Sequence, residues 1–183
     1  MTATTLDPRT ALVVIDLQKG IVGRETAHPA AGIVANSVAL ADAFRAKGLP
    51  VVLVHVVDGA PGRNETPMEG GRLPADWADI VPELGPRDGD IVVTKRTWGA
   101  FHGTDLDLRL RRAGVTQIVL AGIATSIGVE STARAAHEHG YNVTIAADAV
   151  TDMDADAHRN SVAKIFPRLG ETDTTEAIIA LLG

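Results

Sequence analysis

The sequence contains no cysteine. This absence excludes disulfide bonds, thiolate metal sites and a cysteine nucleophile. It also has no basic cluster, and its formal net charge of -6 makes nucleic acid and anionic membranes unexpected partners. No apolar run approaches the roughly 18 residues of a membrane span. The N-terminus, MTATTLDPRT, shows no apolar stretch of the kind found in secretory signals, so we expect a cytoplasmic protein.

Aromatic residues are also scarce, at 3% of the 183 residues, so Ala, Val, Leu and Ile must fill the core. Apolar strand-like runs alternate with segments of helical periodicity, which predicts a three-layer α/β/α sandwich around a mostly parallel, doubly wound sheet. We find no linker or repeat and expect residues 1–183 to form one domain. Strands are predicted at residues 10–16, 50–58, 90–95, 117–121 and 141–146, and helices at 30–47, 105–113, 127–139, 155–166 and 174–182.

The segment 59–89 is too long for an ordinary connection, and loops of this length are usually functional or mobile. Its composition is rich in Gly, Pro and charge. A short helix is predicted at residues 74–80, and the segment is expected to cover the mouth of the site. Trp77 is a candidate for a lid or subunit contact, with a plain surface anchor as the alternative.

Two predicted strands end in opposite charges, Asp16 and Lys95. The carboxyl ends of parallel strands form the ligand crevice of open α/β sheets, so both side chains are candidate site residues. A buried carboxylate is costly unless it is paired or used. Our interpretation is an acid/base carboxylate oriented by the lysine. A helix N-cap role for Asp16, or a salt bridge without further function, are the alternatives.

The stretch QIVLAGIATSIGVESTARA, residues 117–135, combines an apolar strand, a small-residue turn and a helix start. Backbone N–H groups at such a helix start are unpaired and point at the crevice. Thr125 and Ser126 are possible nucleophiles, although hydroxyls in turns usually bond to the backbone. The segment offers no histidine to activate them. Four histidines elsewhere in the chain are expected in solvated loop or outer-helix positions: His102, His137, His139 and His158.

The loop after the third predicted strand supplies further candidates. Arg96 is a candidate for pairing a substrate carboxylate, with a surface salt bridge as the alternative. Trp98 and Phe101 are candidates for lining an apolar pocket, with ordinary packing as the alternative. Together they predict a small-molecule substrate as the partner of this site.

Four pieces of the chain, in this order, resemble the isochorismatase-like hydrolase superfamily over nearly the whole sequence: ALVVIDLQKG, VVTKRTWGAFHGTDLDLRLRRAGV, IVLAGIATSIGVESTARAAHEHGY and AADAVTD. The resemblance implies a Rossmann-like three-layer fold. It also implies an active site built from an acid, a lysine and a residue at a helix start, which map onto Asp16, Lys95 and Gly128. A cis peptide is implied at Ile123–Ala124, in a turn that provides oxyanion or substrate-binding groups together with Thr125.

The third position divides the family. Its amidase branch has a nucleophilic Cys there, with the Asp as base, whereas isochorismatases have Gly and hydrolyse a vinyl ether without a protein nucleophile. Gly128 therefore favours hydrolysis of a vinyl ether such as isochorismate, to pyruvate and a dihydrodiol, with Asp16 as the acid. The flanking TSIGVESTAR is more similar to the cysteine branch. The alternatives are an amidase-branch relative that lost its nucleophile, and acts on another molecule or only binds it, or a cysteine removed by engineering.

The resemblance implies a homodimer or a higher homo-oligomer and no cofactor. The metal-binding Asp/His set of nicotinamidases is not evident in the sequence, so no metal is expected.

Overall fold

The computed structural model describes residues 2–65 and 73–183. Its centre is a six-stranded sheet in which every neighbouring pair of strands is parallel. The strands are β1 Thr10–Ile15, β2 Val51–Val56, β3 Ile91–Lys95, β4 Gln117–Ile123, β5 Asn142–Thr151 and β6 Glu171–Asp173. Their order across the sheet is β3-β2-β1-β4-β5-β6, which confirms the predicted doubly wound architecture.

Helices cover both faces of this sheet and make it the middle of three layers. They are α1 Lys19–Val22, α2 Ala30–Ala46, α3 Leu106–Arg112, α4 Glu130–Glu138, α5 Ala155–Asn160, α6 Phe166–Leu169 and α7 Thr175–Leu181. Two π-helical turns, Thr125–Val129 and Ser161–Ile165, lead into α4 and α6. Within residues 2–65 and 73–183, no helix is both long enough and apolar enough to cross a membrane.

The core has two halves, one on each face of the sheet. Because successive side chains of a strand point to opposite faces, β1 contributes Val13 and Ile15 to one half and Leu12 and Val14 to the other. All of β1 is buried, as expected for a central parallel strand whose residues are apolar on both sides.

Some local elements differ between the sequence prediction and the structure. Strand β5 runs on to Thr151 because it pairs with β4 again after an irregularity beside Gly122. The edge strand β6 was not predicted; it has three residues and no apolar pattern. The short helix predicted at residues 74–80 is a turn, because its last residue, Ile80, pairs with Gln18 instead of continuing a helix. Part of the predicted covering segment, residues 66–72, lies outside the described residues.

The strand order reverses between β1 and β4, and such a switch point is where open α/β sheets bind ligands. Asp16 follows β1, and the π-helical turn Thr125–Val129 follows β4 after Ala124. The fold thus sets an acid and a helix-leading turn side by side at the carboxyl edge of the sheet.

Candidate active site

Asp16 and Lys95 form a buried ion pair at this edge. Lys95 Nζ lies 2.7 Å from Asp16 Oδ2 and donates a second hydrogen bond of 3.1 Å to the Thr97 carbonyl. The Lys95 side chain is 2% exposed. Asp16 has a positive φ of 52°, a left-handed conformation that is uncommon for residues other than glycine and is found preferentially at functional sites. The prediction that these two charges meet is confirmed.

The other carboxylate oxygen of this pair is not satisfied. Asp16 Oδ1 is buried and has no hydrogen-bond partner among residues 2–65 and 73–183. Burial raises the pKa of Asp16 to about 6, against the lowering effects of Lys95 and, more weakly, His55. Close to neutral pH the carboxyl group is therefore able both to give up and to take up a proton.

Gly128 lies directly against this carboxyl group. A Cβ atom placed on Gly128 would lie 3.3 Å from Asp16 Oδ2 and 2.9 Å from Ile15 Cγ2. A side chain at position 128 would therefore point at the acid, and any side chain would require Ile15 to shift. The structure brings Asp16, Lys95 and Gly128 together, as the sequence predicts.

The turn between β4 and α4 is tightly held. The Ile123–Ala124 peptide is cis, and Ile123, Ala124 and Thr125 are all buried. The Val129 N–H donates to the Ala124 carbonyl at 3.1 Å. Thr125 Oγ1 lies 2.9 Å from His158 Nδ1, so this hydroxyl is already engaged.

The prediction that His158 is solvated is wrong. Its ring is buried because α5 packs it against the π-helical turn that carries Thr125. The other histidines assigned to solvent are exposed, as predicted: His102, His137 and His139.

The loop after β3 separates into exposed and buried side chains. Arg96 is exposed and lies 3.7 Å from Asp58, which is the surface salt bridge that the sequence left open. The Trp98 residue is 63% exposed, while its backbone carbonyl would lie 3.6 Å from a Cβ at Gly128. Phe101 is buried in the core and stacks near Tyr141. Trp98 is therefore the aromatic residue of this loop that is open to a ligand.

A single hydroxyl ties this loop to the turn. Thr132 Oγ1 donates to the Gly128 carbonyl at 2.7 Å and accepts from the Ala100 N–H at 3.1 Å. Thr132 is fully buried. The loop of Trp98 and the backbone of Gly128 are thus held in a fixed relation.

His55 lies near the carboxyl end of β2, at the same edge of the sheet. Its Nδ1 lies 2.8 Å from the Ala78 carbonyl and its Nε2 lies 2.7 Å from Thr94 Oγ1. A carbonyl only accepts, so Nδ1 donates to the Ala78 carbonyl, and Nε2 shares the second hydrogen bond with the Thr94 hydroxyl. These bonds fix the chain around residue 78, where a shallow cavity of about 410 Å³ opens beside His55.

Trp77 is an anchor of this same segment. Its indole ring packs so closely on Gly20 that a Cβ there would lie 2.0 Å from Trp77 Cδ1. The Gly20 N–H also donates to the Trp77 carbonyl at 3.0 Å.

In the described part of the chain, no group of three or more His, Asp or Glu side chains is placed to hold a metal ion.

Residues missed by the sequence interpretation lie behind the turn. Asp152 Oδ2 accepts the Ser126 N–H at 2.6 Å, and His158 holds Thr125. Asp152 was detectable, because it lies in the AADAVTD segment that follows the fifth predicted strand on the crevice side. His158 lies inside a helix, and no local signal in a single sequence separates it from a surface histidine.

The fold and the buried acid–lysine pair at its switch point define an isochorismatase-like α/β protein. The isochorismatase domain model matches residues 10–177. The chain belongs to the isochorismatase family and is a hydrolase of that family.

Relatives of known sequence support this assignment. The isochorismatase family protein YwoC of Bacillus subtilis, described as uncharacterized, is 48% identical, and the alignment covers 93% of each chain. The ureidoacrylate amidohydrolase RutB of Methylobacterium radiotolerans is 31% identical over 97% of this chain and 81% of its own. Among solved structures, an isochorismatase family protein from Burkholderia thailandensis is 45% identical, with a TM-score of 0.94 and 99% of each chain covered.

Proposed function

We propose that this hydrolase cleaves the vinyl ether of a small anionic substrate by acid catalysis from Asp16, with isochorismate as the leading substrate. The observation that carries the proposal is the free Oδ1 atom of Asp16. This atom is buried and has no partner among the described residues. Its carboxyl group lies beside Gly128, and burial raises the pKa of that carboxyl group to about 6.

The chemistry of a vinyl ether suits this site. Asp16 protonates the terminal carbon of the enol ether, and water adds to the resulting oxocarbenium carbon and gives up a proton to the Asp16 carboxylate. The hemiketal then breaks down to a ketone, here pyruvate, and an alcohol, here the dihydrodiol. No protein nucleophile is needed, and the cysteine-free chain offers Gly128 where a nucleophile would stand. Lys95 orients the carboxyl group through Oδ2 and leaves Oδ1 to carry the proton.

A second candidate is supported by the position of Gly128. A Cβ there would lie 3.3 Å from Asp16 Oδ2, so a thiol at position 128 would have a base beside it. The RutB relative is named as an amidohydrolase. On this proposal the chain is an amidase-branch relative without its nucleophile, whether lost in evolution or removed by engineering. It then acts on another small molecule or only binds it.

Pyruvate release from isochorismate tests the first proposal. The unmodified chain should release pyruvate, and Lys95→Ala should abolish release because Asp16 loses its orienting partner. Lys47→Ala is the matched control, since Lys47 is an exposed lysine at the end of α2, and it should retain full release. Absence of release from the unmodified chain would contradict the proposal.

The second candidate has its own test. Gly128→Cys should gain hydrolysis of an amide panel that includes ureidoacrylate, with Gly128→Ser as the matched control for bulk. Gain of amide hydrolysis only in the Cys variant would favour the amidase branch. No gain, together with pyruvate release by the unmodified chain, would favour the vinyl-ether proposal.

A further inference from the structure

We propose that Thr125, Asp152 and His158 are positioning residues, which hold the turn after β4 so that Gly128 stays against the Asp16 carboxyl group. The kinetic part of this inference rests on the proposed function. A second test, the pKa of a thiol introduced at position 128, needs no substrate, so the two proposals can fail separately.

The strand order places these residues on the far side of the turn from the acid. Strand β4 lies between β1 and β5. Asp16 follows β1, and Asp152 follows β5. The turn that leaves β4 is therefore flanked by Asp16 on one side and by Asp152, with the nearby helix α5, on the other.

Two short contacts fix the turn from that side. The Ser126 N–H donates to Asp152 Oδ2 at 2.6 Å, and Thr125 Oγ1 lies 2.9 Å from His158 Nδ1. All three holding side chains, those of Thr125, Asp152 and His158, are buried. A buried polar group that loses its partner is destabilising, so the turn has one strongly favoured placement.

The imidazole of His158 serves as a neutral hydrogen-bond partner. Burial is the main cause that lowers its pKa, and the neighbouring His28 lowers it further, while Asp152 raises it. The His28 and His158 ring centroids are 4.8 Å apart. A neutral ring suits the Thr125 hydroxyl, which both donates and accepts.

Small shifts of this turn matter because Gly128 belongs to it. Gly128 is the fourth residue of the π-helical turn that begins at Thr125, and such turns occur frequently at functional sites. Ile15 closes the space on one side of Gly128, since a Cβ there would meet Ile15 Cγ2 at 2.9 Å. Release of Thr125 or Ser126 would therefore alter the distance between Gly128 and Asp16, the proposed acid.

The kinetic test uses pairs of variants. Thr125→Val and His158→Leu remove a partner, whereas Thr125→Ser and His158→Asn retain a polar atom close to the original one. We expect the first two to lower kcat for pyruvate release by about 10- to 100-fold, since misplacement by 1 Å can cost that much. The KM should change little, and the two conservative variants should restore most of kcat.

Thr10→Val is the control for a purely structural role. Thr10 is a fully buried threonine with hydrogen bonds at the opposite end of the sheet. Its replacement should lower the melting temperature in the same way as Thr125→Val and leave kcat unchanged. If Thr125→Val and His158→Leu have the same kcat as Thr10→Val, the proposal is overturned.

The second test needs no substrate. Because the chain has no cysteine, Gly128→Cys introduces a single thiol, and its rate of alkylation by iodoacetamide against pH gives the thiol pKa. Asp16→Asn should change that pKa, because the carboxyl group lies against the new side chain. Adding Thr125→Val or His158→Leu to Gly128→Cys should shrink the effect of Asp16→Asn, and adding Thr10→Val should leave it unchanged.

The thiol result decides the proposal even if isochorismate is not the substrate. A smaller effect of Asp16→Asn in both positioning variants supports it. An undiminished effect in both variants, or no effect of Asp16→Asn in the Gly128→Cys chain, overturns it.

Discussion

The two ends of the sheet differ in how one buried polar side chain at each end is satisfied, Gln117 at the amino end and Asp16 at the carboxyl end. At the amino end, Gln117 Oε1 accepts from the Asp7 N–H and the Thr10 hydroxyl, and its Nε2 donates to Thr144 Oγ1. At the carboxyl end, Asp16 Oδ1 has no partner among the described residues. Satisfied buried networks rigidify a fold, and an unsatisfied buried atom calls for another explanation. The difference supports the proposal that the reacting groups lie at the carboxyl end, while the Gln117 network at the amino end stabilises the fold.

The largest expected effect separates the two ends by activity. Asp16→Asn removes the proposed acid and should lower turnover of isochorismate by about 10²- to 10⁴-fold, the range typical of general acids. Asp7→Asn is the matched change at the amino end and should leave turnover unchanged. Measured kcat/KM of the two variants checks this. Equal activity of both would remove the functional distinction between the ends.

The pH profile sharpens the assignment of Asp16. Burial raises its pKa to about 6, so an acid-catalysed reaction should lose kcat/KM as the pH rises through about 6. The raised pKa also means that the contribution of Asp16 to stability is complete below its ordinary value of 3.8 and is lost as the pH rises through about 6. A rate that instead grows with pH over this range would identify Asp16 as a base.

Breaking the amino-end network should affect stability alone. Gln117→Ala leaves the Thr10 and Thr144 hydroxyls without their partner and should lower the free energy of unfolding by about 1–3 kcal/mol. The kcat should stay that of the unmodified chain. Urea denaturation and pyruvate release, measured on the same preparation, check the two statements. A large loss of kcat would show that the two ends are coupled.

Two glycine-to-alanine substitutions compare the stability effect of a new side chain in the candidate site with that at an open position of helix α2. Gly128→Ala places a Cβ against Ile15 and Asp16 and should destabilise the fold by about 1–3 kcal/mol. Gly32→Ala, in α2, meets no atom within 4 Å and should stabilise by about 0.5–1 kcal/mol, because alanine favours helix. Thermal unfolding of both variants measures the contrast. Equal melting temperatures would show that the Ile15 side chain can move away from the new Cβ at little cost in stability.

The smallest effect on stability is expected at the exposed pair of Arg96 and Asp58. Such pairs contribute about 0–1 kcal/mol, so neither Arg96→Ala nor Asp58→Ala should change the melting temperature much. If Arg96 pairs with a substrate carboxylate, Arg96→Ala should raise KM by about tenfold, with kcat retained. Asp58→Ala should leave KM unchanged. Equal KM values would assign Arg96 to the surface salt bridge alone.

Local patterns predicted much of the fold correctly. The apolar runs of β1 and β2 are strands because they are buried on both faces, and the alternation with helices gave the layer arrangement. The patterns failed where tertiary contacts override local preference. Residues 74–80 form a turn because Ile80 pairs with Gln18, which lies far away in the sequence. The short edge strand β6 carries no apolar pattern, so pairing with β5 alone defines it.

The sequence by itself determined which chemical groups stand at the strand ends: an acid after β1, a lysine at the end of β3 and a glycine after β4. It also excluded a cysteine nucleophile. Only the tertiary structure decided their relation, namely the 2.7 Å ion pair, the Oδ1 atom that no described residue satisfies and the burial that raises the pKa of Asp16. It alone brought His158 to Thr125. The physical reason is that distance, burial and hydrogen-bond satisfaction depend on residues remote in the chain, which a local pattern does not contain.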